Sequence, residues 1–457
     1  MNAEVPTPVA LRYQDQRGLD QVPAYATGLQ LRIGDSRQVY VALSATELTL
    51  YFEPQLALHY DLEGRLVKVA DATQFWRRGL SGRMLLTRKM TEEEGGGIAR
   101  AVVPIDMATG IISDAHRRTQ EVHAALRDGR AVVELGRPSV PEAQQHIAPL
   151  LELAAGFDAE ASEREAEKFR QIYGRVAVLP PDQYNALVLQ ATEGCAYAGC
   201  TFCDLYKGVV FRRKSLEEFR DHIRAVLKFH GDSLRARRSI FLGEANALTQ
   251  PAATLKDFFH VLNEHFEFPA TEMPSTAVSA SWWLGSSNRF DGVSSFMDAF
   301  ANPNRTVGDY FDLRRLGLRR VYVGLESGDA GLLKWLKKPA TIESAQRCIQ
   351  LLKQSDILVG VIVLIGAGGR EYAAAHVRET ARVLNELPLA RNDHIFFSPL
   401  HVYPGGQYNV QAMTDAVTPL TRAERLLQEQ EIRQALRFDS RRGKPFLSQY
   451  ELETFVY

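Results

Sequence analysis

Beyond Pro181 the chain alternates short apolar runs with amphipathic stretches, and this alternation restricts the fold more than any other feature of its 457 residues. Strand-like runs fall at 185–190, 239–242, 275–280, 320–325, 359–365 and 394–398. Helical periods lie between them at 216–229, 254–266, 309–316, 344–354 and 372–387. Successive strands joined by helical crossovers of one hand lie parallel in one sheet. The expected body is therefore an α/β fold over 181–410, a partial (β/α)6 TIM-like barrel with its chemistry at the C-terminal strand ends.

One loop stands at such an end. Cys195-Ala-Tyr-Ala-Gly-Cys200-Thr-Phe-Cys203 follows the first strand after the turn Thr192-Glu-Gly194, and it holds three of the chain's 4 cysteines in a C-x4-C-x2-C spacing. Three thiolates on one short loop converge naturally on a soft metal centre. They are one short of a closed four-thiolate site, which leaves one position for an exogenous ligand. Structural zinc asks for four ligands, and no Cys/His pair lies nearby. His222 and His230 fall on a helical stretch and read as surface residues. Cys348 lies on the apolar face of another helix and reads as core. Cysteines this few and this clustered do not make a disulfide framework.

The length suggests two or three domains. Residues 1–180 read as an N-terminal α+β domain: polar and irregular to about 35, a β-meander over 37–69, a helix at 113–127 and two more within 141–173, ended by Leu179-Pro-Pro181. Gln74-Phe-Trp-Arg-Arg78 and Gly95-Gly-Gly97 read as surface or loop. Residues 411–457 read as a helical extension with a helix over 422–437, whose tail either caps the barrel or packs outside it. Lys+Arg (54) and Asp+Glu (55) nearly cancel, so nucleic acid is not indicated. The first residues lack a basic or apolar leader and no run reaches ~18 apolar residues, so a cytoplasmic protein without membrane contact is expected.

The motifs resemble the radical S-adenosylmethionine (radical SAM) superfamily, over about residues 182–405. That family's signature is C-x3-C-x2-C with an aromatic residue before the last cysteine, as Phe202 stands before Cys203. Gly243-Glu244 closes the second strand where the family carries a Gly-Gly-Glu-like motif. Gly324-Leu-Glu-Ser-Gly328 closes the fourth, and Gly360-Val-Ile-Val-Leu-Ile-Gly366 runs through the fifth. Within the family, Cys-Thr-Phe-Cys and Gly-Leu-Glu-Ser-Gly are similar to the MiaB/Elp3-like cores. The departure is the first spacing, four residues in place of three.

The resemblance implies a [4Fe-4S] cluster on Cys195, Cys200 and Cys203, with SAM bound to the open iron and cleaved reductively to a 5′-deoxyadenosyl radical that abstracts hydrogen from substrate. It implies that Gly243 and Glu244 meet the methionine ammonium and that Glu326 takes the ribose hydroxyls. Phe202 and the Val361–Ile365 backbone would line the adenine. His401 and Tyr403, beyond the sixth strand, are candidate substrate contacts. Expected partners are a small-molecule or peptide substrate and an electron donor such as flavodoxin or ferredoxin. An RNA-modifying enzyme and a non-catalytic Fe–S or SAM-binding regulator are the alternatives. There is no second cysteine cluster for an auxiliary centre and no Asp-x-His-x-x-Gly cobalamin pattern. Gly366-Ala-Gly-Gly369 lacks the third glycine of a dinucleotide fingerprint.

Overall fold

The computed structural model describes residues 27–34, 37–53, 55–91, 97–269, 288–300 and 304–457. It divides into two compact units, Met1–Arg78 with Leu86–Glu163, and Gly79–Leu85 with Arg164–Tyr457.

The first unit is built on a nine-stranded sheet: β1 (Thr27–Ile33), β2 (Arg37–Leu43), β3 (Glu47–Phe52), β4 (Leu56–Asp61), β5 (Leu66–Ala70), β6 (Gln74–Arg78), β7 (Met84–Lys89), β8 (Ile98–Val102) and β9 (Ala131–Arg137). The order is β8-β7-β6-β5-β4-β3-β2-β1-β9. Helices α1 (Ile105–Arg127) and α2 (Val140–Ala155) supply its apolar cover, and Tyr60 on β4 reaches Thr119 on α1 hydroxyl to hydroxyl at 2.7 Å. Three expectations are corrected. Residues 27–33 are a strand, not irregular. Gln74–Arg78 is a strand too, because Val69 pairs with Trp76 and Ala70 with Phe75. Helix α1 begins at Ile105, eight residues before 113, with Pro104 at its N-cap and Gly110 tolerated inside it. Residues 95 and 96 of the expected glycine loop lie outside the described residues.

The second unit carries the parallel sheet. Its strands are β10 (Leu187–Gln190), β13 (Ile240–Gly243), β14 (Val293–Met297), β15 (Leu318–Glu326), β16 (Leu358–Ile365), β17 (His394–Pro399) and β18 (Phe446–Gln449), paired in that order. A two-residue ladder, β11 (Thr192–Glu193) with β12 (Arg212–Arg213), closes the base of the cysteine loop. Helices α3 (Ala159–Tyr173), α4 (Leu216–His230), α5 (Ala252–His265), α6 (Val307–Arg315), α7 (Ala330–Trp335), α8 (Ile342–Gln354), α9 (Gly369–Glu386), α10 (Gln407–Thr414) and α11 (Arg422–Ala435) precede, connect and follow the strands. Capping boxes start α4, α6, α8 and α11, at Ser215, Thr306, Thr341 and Thr421.

The sheet has seven strands where six were expected. The extra strand, β18, comes from the segment read as a helical tail, and it pairs parallel with β17. The end of the tail packs against the first strand: the Tyr457 hydroxyl donates to Ala186 O and accepts from Val188 N, both at 3.0 Å. The expected strand at 275–280 lies outside the described residues, and β14 occupies the third place. A row of rings, Phe241, Phe296, Tyr322, Phe396 and Tyr450, fills the sheet between successive strands, with neighbouring centroids 5.1, 5.9, 6.0 and 5.8 Å apart. No described helix is long and apolar enough to cross a membrane.

Candidate functional site

The cysteine loop is strapped down at both ends. The Gln190 side-chain amide, at the end of β10, donates to Arg175 O at 2.8 Å and to Glu244 Oε1 at 2.9 Å. The other carboxylate oxygen of Glu244 accepts from Gly194 N at 2.8 Å, and Glu244 N donates to Thr192 Oγ1 at 3.2 Å. One carboxylate thus ties two strand ends to the residue before Cys195. Position 194 requires glycine: its φ is +72°, and a β-carbon there would stand 3.2 Å from Val209. At the far end, Thr201 donates to Leu336 O through both N and Oγ1, at 3.0 and 3.2 Å. Phe202 packs against a small apolar cluster that includes Leu364 and Ala367 at the end of β16. Ile365 itself is buried in the main core, and its carbonyl accepts from Leu400 N at 2.8 Å.

All three loop thiols are free and partly exposed. Burial pushes Cys200 up to about 12 and Cys203 up to about 11, and Glu326 beside both pushes the same way while Lys338 opposes. Cys203 also feels the field of Cys195. Three sulfurs thus share one half-buried, electron-rich space that a positive centre would convert to thiolates. Among the described residues no three His, Cys, Asp or Glu side chains are gathered as a single-ion cage. Three cysteine thiols on one loop, Cys195, Cys200 and Cys203, are the donor type that an iron–sulfur cluster takes.

Behind the loop lies an ionic network the sequence did not disclose. Lys338 donates to Asp298 Oδ1 at 2.6 Å and to Glu326 Oε1 at 3.3 Å, with only 5% of its side chain exposed. Asn246 Nδ2 donates to Asp298 Oδ2 at 3.0 Å and to Cys195 Sγ at 3.6 Å. Glu326 is buried at φ +61°. A β-carbon at Gly324 would fall on Glu326 Oε1 and lie 3.1 Å from Lys338 Nζ. The carboxylate cannot yield without leaving its lysine, so Gly324→Ala is expected to cost about 1–3 kcal/mol. A urea midpoint equal to that of wild type would contradict this.

Sequence reading missed Gln190, Asn246, Asp298 and Lys338. Two signals were present: Asn246 stands two residues beyond Glu244, and Asp298 directly follows β14. His222 and His230 are buried, not surface residues. His222 Nε2 accepts from Gln190 N at 3.0 Å, so this imidazole supports the strand end that carries Gln190. His401 pairs with Glu453 and meets the Tyr403 ring edge-on, with centroids 4.2 Å apart. Tyr403 lies in the field of Cys203 and Asp204, so it borders the loop.

Burial lowers His222 and His376 to about 4 from 6.5. Both are neutral in the fold, while their unfolded counterparts take a proton below 6.5. Stability is therefore expected to fall as pH drops from 6.5 to 4, by up to ~3 kcal/mol per histidine. Glu244, raised by burial from 4.5 to about 7, works in the opposite direction between those two values. Buried Asp61 and Glu326, also raised, side with Glu244, and buried His59, also lowered, sides with the two imidazoles; the two large histidine shifts set the expected net loss on acidification. Urea midpoints measured across this window check it, and a flat or rising profile towards acid would refute it.

No protein-family model matches the chain, and no curated protein does. Solved structures do match. The chain is similar to radical SAM enzymes. One is the cobalamin-dependent radical enzyme OxsB, at 16% identity and TM-score 0.35, over 61% of this chain and 33% of that one. Another is the methyltransferase TsrM of Kitasatospora setae, at 17% identity and TM-score 0.34, over 53% and 41%. A third is the Escherichia coli coproporphyrinogen III oxidase HemN, at 15% and 0.37, over 61% and 56%. The matches span a third to just over half of those proteins. At such distances they carry no argument about the reaction, which rests on the residues of the site.

Proposed function

We propose that this chain is a radical SAM enzyme acting on a small molecule or peptide. The observation that carries the reading is the trio of free thiols on one strapped loop at the C-terminal end of the first parallel strand. Cys195, Cys200 and Cys203 would hold a [4Fe-4S] cluster and leave one iron for SAM. When bound, the two groups supply one-electron cleavage of the sulfonium carbon–sulfur bond and hydrogen abstraction from substrate.

The chain's own residues bind and orient. Gly243 and Glu244 offer acceptors for an ammonium at the second strand end, and Glu326 offers a buried carboxylate for ribose hydroxyls. Phe202 and the Ile365 backbone would line the adenine. Lys338 supplies fixed positive charge beside the thiolates and next to Glu326. His401 and Tyr403, the latter beside the cysteine loop, would contact substrate. Near-balanced charge favours a small or peptide substrate over RNA. The implied setting is the cytoplasm, with a flavodoxin or ferredoxin as electron donor.

The test is anaerobic reconstitution with iron and sulfide, reduction with dithionite, addition of SAM and assay for 5′-deoxyadenosine. Product that depends on both SAM and reductant is expected. An intact, reduced cluster that never cleaves SAM would favour a regulatory protein instead.

A further inference from the structure

Asn246 is 1% exposed, and its side-chain amide has no rotational choice. Its Oδ1 faces Asp298 N at 3.0 Å, and a backbone N–H only donates. Its Nδ2 faces Asp298 Oδ2 at 3.0 Å, and a carboxylate oxygen only accepts. Flipping the amide would set donor against donor and acceptor against acceptor. The remaining N–H is thereby aimed at Cys195 Sγ, 3.6 Å away. Asp298 is itself anchored through Lys338 to Glu326, so the donor is held by three strand ends at once.

We infer that Asn246 is a positioning residue that fixes the Cys195 sulfur and, by donating to it, raises the reduction potential of the cluster this cysteine would carry. The inference rests on the cluster reading above. A hydrogen bond to a ligand sulfur withdraws electron density, stabilises the reduced state and makes the electron easier to accept. Ala198 N also donates to this sulfur, at 3.5 Å, from within the loop itself; the Asn246 amide, buried from water, is the side-chain donor and ties the sulfur to the neighbouring strand ends.

The experiment compares wild type, Asn246→Leu and Asn246→Ser after anaerobic reconstitution, by iron and sulfide content and by a redox titration followed by electron paramagnetic resonance. Leucine keeps the shape and loses both hydrogen-bonding functions. Serine keeps a polar group but is too short to reach Cys195. Both variants are expected to have a midpoint more negative than wild type, and Asn246→Ser to hold a full cluster. A full cluster with an unmoved midpoint in Asn246→Ser would overturn the inference alone. So would loss of iron from Asn246→Ser with unchanged circular dichroism, which would make the residue a structural prop of the loop. A wild type that takes up no iron overturns the cluster reading itself.

Discussion

Alanine at Cys195, Cys200 or Cys203 is expected to abolish stable cluster binding and SAM-dependent 5′-deoxyadenosine formation, each variant failing as completely as the others. Three ligands are the fewest that hold the cluster while one iron stays open, so none of the three is redundant. The fold is expected to survive each change. The thiols are partly exposed and free, and the loop is pinned by Glu244 on Gly194 and by Leu336 O on Thr201. Thermal midpoints should therefore move by no more than about 1 kcal/mol equivalent. Cys348→Ala is the control: its thiol is buried in the core beside Tyr310, so that variant loses about 1–2 kcal/mol of stability and no iron. A loop variant that keeps a full cluster and cleaves SAM would break the assignment of that cysteine.

The second large effect belongs to Lys338→Met. Burial raises Glu326, with Asp298 adding to it and Lys338 pulling down. Asp298 is buried as well, yet Lys338 holds it below its usual value. Burial alone would lower Lys338, and the two carboxylates override that and raise it. Methionine fills the space and removes the charge, leaving two buried carboxylates facing each other. Breaking a buried pair by removing one partner typically costs 3–5 kcal/mol, and the same loss is expected here. It should shrink towards acid as Glu326 takes up a proton. Urea unfolding of the unloaded protein measures it, and a loss below about 1 kcal/mol would show that the network is not what holds the strand ends together.

What the sequence disclosed follows from where the information lies. β10, β13, β15, β16 and β17 are apolar runs ended by glycine or polar residues, a signal local to each run. β14 is not, because Ser294 and Ser295 interrupt it. Both are buried, and Ser295 Oγ donates to Leu242 O at 2.7 Å, a partner only the folded sheet provides. β18 has only two apolar residues, Phe446 and Leu447, neither of them buried, so it shows neither an apolar run nor an alternation. In the N-terminal unit, β6 and β9 lack apolar alternation and exist through pairing with neighbours. The cysteine loop was legible because its three thiols are adjacent in sequence. The ionic network was not: Lys338 and Asp298 lie 40 positions apart, and Asn246 and Asp298 lie 52 apart. His222 escaped notice because Asp221 and Arg224 beside it mark a wet helix face, while its own ring turns inward to Gln190.

The most direct test is electron paramagnetic resonance of the reconstituted, reduced protein, with and without SAM. A cluster held by three cysteines leaves an iron that SAM can ligate, so SAM should change the signal, and iron and sulfide should approach four of each per chain. A signal unchanged by SAM, or a colourless protein that retains zinc in place of iron, would contradict the three-thiolate site.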